Sequence, residues 1–141
     1  MANVIYNSFK TNIGTIDWSD NSNTTIKVML VTSDYAPDID THAFASDVTN
    51  EVSGDGYTAG GQAIANRTVT KDNTNDVGKY DGDDVTWSSS TIRARGCVVY
   101  KDTGDATTSP LIGYIDFTED KASSAGDFVL QWNSEGIFII G

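Results

Sequence analysis

The stretch Ile92-Arg93-Ala94-Arg95-Gly96-Cys97-Val98-Val99-Tyr100 and, ten residues on, Leu111-Ile112-Gly113-Tyr114-Ile115-Asp116-Phe117 decides how this chain is read. On an extended backbone, Val98 and Tyr100 share one face and Cys97 and Val99 the other. Leu111, Ile115 and Phe117 alternate in the same way with Ile112 and Tyr114. Apolar residues on both faces mark strands that are covered on both sides. The connection Lys101-Asp102-Thr103-Gly104-Asp105-Ala106-Thr107-Thr108-Ser109-Pro110 is rich in residues that bend or self-bond the backbone. Pro110 stands at a strand start, where a missing N–H does least harm. The two runs are therefore expected to pair as antiparallel neighbours in the middle of a sheet. The alternative is two separate core strands joined by a crossing loop.

Outward from this pair, the chain reads as strands and turns. Thr25 to Thr32 is a strand, with Ile26, Val28 and Leu30 on one face and Lys27 on a wetter one. Gln62 to Thr70 reads as a strand with a bulge, because Ile64 and Val69 are out of phase. Short strands are expected at Val77–Tyr80 and Val85–Trp87, either side of the turn Asp81-Gly82-Asp83-Asp84. A further strand, Phe128–Trp132, is followed by a turn at Asn133–Gly136. The apolar Ile137-Phe138-Ile139-Ile140 is then expected to fix the C-terminal segment in a sheet. Val4, Ile5, Phe9 and Ile13 are spaced for one face of a short helix, with Asn3 as its cap and Gly14 at its end. An extended arm over residues 1–14 is the other reading. Ser33 to Gly61 is the least regular region. It has room for one or two helical turns at Phe44, Val48 and Val52, and Gly54, Gly56, Gly60 and Gly61 make a mobile segment. About eight strands at this spacing, over a length of 141 residues, predict a single all-β, mainly antiparallel domain across residues 1–141. A β-sandwich or jelly-roll-like fold is expected, with a short N-terminal helix or arm.

Composition narrows the function. Twenty acidic residues against nine basic give a net charge of −11, which repels phosphate backbones and anionic bilayers. Neither nucleic acid nor membrane is an expected partner. No apolar run approaches the roughly 20 residues of a membrane span, and no signal peptide is visible at the start. The chain is expected to be made in the cytoplasm. Cys97 is the only cysteine and lies in an apolar run, so a buried core role is expected. The only histidine, His42, is in a loop-like stretch, and nothing pairs it with Cys97 as nucleophile and base.

Other candidate chemistry is weaker. Asp81, Asp83 and Asp84 surround a glycine as cation ligands can, but the full calcium-loop pattern fails because Ile92 stands where a bidentate glutamate is needed. A plain acidic turn accounts for them better, and no metal or cofactor is expected. Asp102, Asp105, Asp116, Glu119 and Asp120 show no pair set apart for glycoside hydrolysis. Trp18, Trp87 and Trp132 either stack on sugar rings or pack in a core or subunit interface, the commoner use of large aromatics. Arg93 and Arg95 share a strand face and can pair with acids. No catalytic triad, zinc spacing or phosphate loop is present.

Four stretches carry a resemblance. They are Met1-Ala2-Asn3-Val4-Ile5-Tyr6-Asn7-Ser8-Phe9-Lys10, Thr25-Ile26-Lys27-Val28-Met29-Leu30-Val31, Asp83-Asp84-Val85-Thr86-Trp87, and Val98-Val99-Tyr100-Lys101-Asp102-Thr103-Gly104 with Leu111-Ile112-Gly113-Tyr114-Ile115-Asp116. Across most of its length the chain resembles a family of small virion structural proteins of tailed bacteriophages. That resemblance implies a non-enzymatic component of the virion, with no catalytic residues to carry over. The preferred place is the capsid exterior, as a decoration (cement) protein on the major capsid protein lattice, present as a homo-oligomer or in many copies. A tail or neck component is the runner-up, and a carbohydrate-binding adhesion module is the alternative of a different class. An N-terminal arm and the Ser33–Gly61 loop suit a lattice-gripping role. This makes Val4, Ile5, Tyr6, Phe9, Tyr35 and Phe44 the candidate interface residues.

Overall fold

The structure, a computed structural model, describes residues 3–141. In chain order its elements are β1 (Val4–Ile5), α1 (Asn7–Asn12), β2 (Ile26–Val31), β3 (Gln62–Ala63), β4 (Thr68–Asp72), β5 (Val77–Asp81), β6 (Val85–Ser90), β7 (Arg93–Lys101), β8 (Leu111–Ala122), β9 (Gly126–Leu130) and β10 (Phe138–Ile140). A single 3-10 turn, Ala45–Asp47, lies in the long connection between β2 and β3. All the strand pairings are antiparallel.

The two central runs pair as expected. β7 and β8 lie side by side in the five-stranded sheet β1-β8-β7-β2-β3, with Val98 opposite Tyr114 and Cys97 opposite Ile115. β2 flanks β7 on its other side, with Val28 opposite Val99. The second layer consists of the three-stranded sheet β10-β5-β4 and the pair β6-β9. Ile26, Val28 and Leu30 of β2, Cys97 and Val99 of β7 and Ile112 of β8 meet Val85, Trp87, Phe128, Leu130 and Phe138 in one core between the layers. The result is sandwich-like. The opposite face of the large sheet carries a second core of Met29, Val31, Val98, Tyr100, Leu111 and Tyr114. Tyr6, Tyr35 and Ala45 cover it.

The alternation holds over Cys97–Tyr100 of β7, but it slips between Ala94 and Cys97, which both face the first core, and again on β8. Tyr100 faces Leu111 while Val99 faces Gly113, so β8 carries one extra residue there. This bulge puts Leu111 with Tyr114 in the second core instead of with Ile115 and Phe117, which pack toward the first. Such a slip reflects pairing between strands, which alternation within one strand does not encode.

Gly113 is also a point of close contact between the layers. A Cβ built there would lie 2.5 Å from a ring carbon of Phe138 and 2.9 Å from the Val4 carbonyl oxygen. The aromatic ring of β10 thus rests directly on the backbone of β8. That contact, together with pairing to β5, fixes the C-terminal strand as the sequence predicts.

Four other expectations change. The stretch read as one bulged strand over Gln62–Thr70 divides into β3 and β4, because the chain turns at Asn66, whose φ is +51°. Arg67, only 5% exposed, holds that turn. Its guanidinium donates to the carbonyls of Trp18 at 2.8 Å, Ile64 at 2.7 Å and Asp20 at 2.9 Å, and also to that of Thr24. One planar cation therefore closes the whole Trp18–Thr24 loop over the core.

The N-terminal helix covers only Asn7–Asn12. Asn3 does not cap it; its side chain accepts a hydrogen bond from the Asp116 N–H at 2.9 Å, and Val4 and Ile5 pair with β8. The described part of the segment read as a helix or arm is therefore an edge strand plus a short helix, anchored by the buried Tyr6 and Phe9. Residues 1 and 2 of that segment lie outside the described residues.

Helical turns over His42–Val52 shrink to the single 3-10 turn. Asp47 folds back to accept the N–H groups of Ala43 and Phe44, and the chain then runs extended, with the Val52 N–H on the Leu30 carbonyl. The glycine-rich segment expected to be mobile is pinned by Tyr57. Its ring stacks on Trp87, and its hydroxyl donates to Glu51 at 2.6 Å and accepts from the Leu30 N–H at 3.0 Å.

Three substitutions test this packing. Gly113→Ala is expected to lower unfolding free energy by about 1–3 kcal/mol, through overpacking against Phe138. Gly14→Ala, which meets nothing within 4 Å, is expected to stay within about 0.5 kcal/mol of the parent. Arg67→Lys is expected to cost at least about 2 kcal/mol, because one ammonium cannot satisfy the carbonyls that the guanidinium fork reaches. Urea denaturation checks all three.

Candidate interface

Of the candidate interface residues, Tyr6, Phe9 and Tyr35 belong to the protein's own cores, with exposures of 0%, 2% and 1%. They are not offered to a partner. Tyr6 and Tyr35 instead share a 2.8 Å hydroxyl–hydroxyl hydrogen bond, and the Tyr35 hydroxyl lies 2.9 Å from Nδ1 of His42. The Asp38 N–H also points at that nitrogen. A backbone amide only donates, so Nδ1 is an acceptor and the Tyr35 hydroxyl donates to it. Val4 and Ile5 stay half-buried on the edge strand β1, and Phe44 is exposed beside Pro110.

The other candidate groups are structural. Cys97 is fully buried, which pushes its thiol far above its ordinary pKa. It faces the core between the layers, while His42 packs beside Tyr35 on the opposite face of the sheet, so the two do not meet. Asp83 accepts from the Asn66 side chain at 2.6 Å and Asp84 from the Trp132 N–H at 2.9 Å. Among the described residues, no group of three His, Cys, Asp or Glu side chains is placed to hold a metal ion. The three tryptophans are buried. Trp18 donates to the Asp81 carbonyl at 3.0 Å and Trp132 to the Asp83 carbonyl at 2.8 Å, so neither ring is a platform for sugars. Arg95 pairs with Asp116 at 3.3 Å. No helix among the described residues is long and apolar enough to cross a membrane.

Many of the acids have a shared role in turns. Asp20, Asp38, Asp72, Asp102 and Asp105 each accept N–H groups from residues two or three positions ahead. These bonds favour the ionised form. Backbone N–H groups lead the causes for Asp20 and Asp38, the Asn75 side chain for Asp72, Lys27 for Asp102 and Thr107 for Asp105. All five carboxyls sit below their ordinary pKa.

The distribution of surface apolar residues is uneven. Ile13, Ile39, Phe44, Val69, Val129 and Ile139 are the exposed large hydrophobics among the described residues. Four of these six line a single flank of the sandwich. There the edge of the large sheet, β1 and the outer half of β8, faces the edge of the other layer, β9 and β10. At one end a trough of about 480 Å³ is lined by Val4, Ile5, Ile13, Ile39, Ile139 and Ile140, among others. At the other end a trough of about 350 Å³ lies between Phe117 and Lys121 of β8 and Asp127 to Leu130 of β9. A third hollow, between Val4 and Ile5 and the stretch Gly136 to Ile139, adjoins the first of these. The seam's outer strands have no neighbour on that side, so alternate backbone N–H and C=O groups face outward. Sequence reading missed this seam, because Ile139 and Val129 look like core residues of apolar strands. The available signal was that both strands alternate, which leaves one residue of each pair facing away from the core.

No protein-family model, no curated protein and no solved structure matches this chain.

The turn carboxylates give a pH prediction. Their folded pKa values are depressed, so the stability they contribute is complete above the ordinary Asp pKa near 3.8. It is lost as pH falls through the lower folded values. Thermal unfolding followed by circular dichroism is expected to show a melting temperature that falls steeply below about pH 4. A melting temperature that rises on acidification through this range contradicts the assignment.

Proposed function

We propose that this protein is a non-enzymatic structural subunit of a tailed-bacteriophage virion, a decoration protein that binds the major capsid lattice in many copies. The observation that carries this reading is the gathering of exposed Ile13, Ile39, Val129 and Ile139 along one seam. Contiguous apolar surface of this kind marks a protein–protein contact. The body behind the seam suits the role. Its large sheet is covered on both faces, and its turns are tied by carboxylates, so it presents a pre-formed edge at little ordering cost. The four stretches that resemble virion proteins fall largely on this scaffold: β1 and α1, β2, the β5–β6 turn with β6, and the β7–β8 pair. Burial of Tyr6 and Phe9 moves the expected grip away from an N-terminal arm and onto the seam. A sugar-binding reading loses its stacking platforms with the burial of Trp18, Trp87 and Trp132.

Ile139→Asp and Val129→Asp change side chains that are 49% and 56% exposed, so the fold is expected to survive. Added to capsids that lack this protein, the parent is expected to bind to saturation and each variant to bind at least roughly tenfold more weakly. Co-sedimentation with the particles measures this. Variants that saturate the capsid like the parent sink the proposal.

A further inference from the structure

We infer that the seam between β1/β8 and β9/β10 is filled by one extended segment of a different chain. That segment pairs as an added strand with the free edges of β9 and β10, and places a Lys or Arg beside Asp127. This rests on the reading of the seam as an interface and adds what occupies it.

Three observations select this occupant. First, the seam is walled by two sheet edges, and β9 and β10 have no strand neighbour on their outer side. Packed sheets lie about 10 Å apart, so the opening between their edges admits the side chains of one strand and not a whole layer. Strand addition satisfies the open backbone groups, and alternate side chains fill the hollows. The lining fits apolar, β-branched residues at every second position: Val4, Ile5 and Ile139 at one end, Phe117 and Val129 at the other.

Second, the shape disfavours a second copy seated seam to seam. The flank carries three hollows, and hollows placed face to face leave the space between them empty. The net charge of −11 adds repulsion between copies.

Third, the charges of the lining are partly taken. Lys121 is bound to Glu119 at 2.5 Å, and Glu135 to Lys79 at 2.5 Å. Asp127, exposed at the start of β9, forms no ion pair among the described residues. A basic residue on the incoming strand supplies its counter-charge, whereas an acidic one adds repulsion.

The test uses the full chain and two short synthetic peptides. Both alternate valine with threonine; one has lysine at each end and the other glutamate. Amide hydrogen exchange and chemical-shift changes are followed residue by residue at low ionic strength. The lysine peptide is expected to protect amides along β9 and β10 and to bind roughly tenfold tighter than the glutamate peptide. Asp127→Lys is expected to reverse that preference, and Ile139→Asp to abolish protection by either peptide. Equal affinity for the two peptides, protection elsewhere on the surface, or sedimentation showing the seam closed by a second copy each overturns the inference. Silence of both peptides while Ile139→Asp still blocks capsid binding overturns the added strand and leaves the capsid reading standing. Protection along β9 and β10 by a chain that does not bind capsids supports the added strand and ends the capsid reading.

Discussion

The central strands β2, β7 and β8 are buried on both faces, and the rest of the molecule is arranged to make that possible. A sheet with apolar side chains on both sides needs two covers. One is the second layer, which brings Trp87, Phe128 and Phe138 onto Val28, Val99 and Ile112. The other is irregular chain, with Tyr6, Tyr35 and Ala45 laid over Val98, Leu111 and Tyr114. An irregular cover brings its own polar groups, and these are paired in place. The Tyr6 and Tyr35 hydroxyls bond each other, and Tyr35 reaches His42. The long connection after β2 is therefore part of the fold, and its conspicuous aromatic Tyr35 serves the core.

The same requirement places the charge and the apolar surface. Loops that must bend tightly around a sandwich bind their N–H groups with aspartates, which takes acidic residues into the turns of a very acidic chain. Strands at the ends of the layers have only one neighbour and one buried face. Their outward residues, Val129 and Ile139, lie on the flank where the two layers end. Charge lies on the turns, and four of the six exposed large hydrophobics among the described residues lie along one seam. A body of this kind can dock through one flank while its remaining surface resists association.

Much of the architecture was legible in the sequence. Alternation in Cys97–Tyr100 and Ile26–Leu30 reports which side chain faces which core, because a strand reverses its side chains at every residue. The burial of Cys97 and the fixing of β10 followed from the same pattern. The bulge at Ile112 was not legible, since it is a relation between β7 and β8. Arg67 was also missed: nothing in an isolated arginine announces that four carbonyls from separate segments will converge on it. Val4 and Ile5 looked helical by spacing. They became a strand because β8 offers an open edge at Gly113 and Tyr114.

For the candidate site the balance was the reverse. Sequence reading singled out Tyr6, Phe9 and Tyr35 because the N-terminal segment and the Ser33–Gly61 loop suit a lattice grip, and the second core and the inter-layer core took them. By itself the sequence determined an all-β chain with a doubly buried central pair and acidic turns, since these depend on residue type and local spacing. Which edges lie side by side, and so which isoleucines and valines share one exposed seam, was decided only by tertiary structure. That property joins residues from Val4 to Ile140, and only the stacking of the two layers brings such distant positions together.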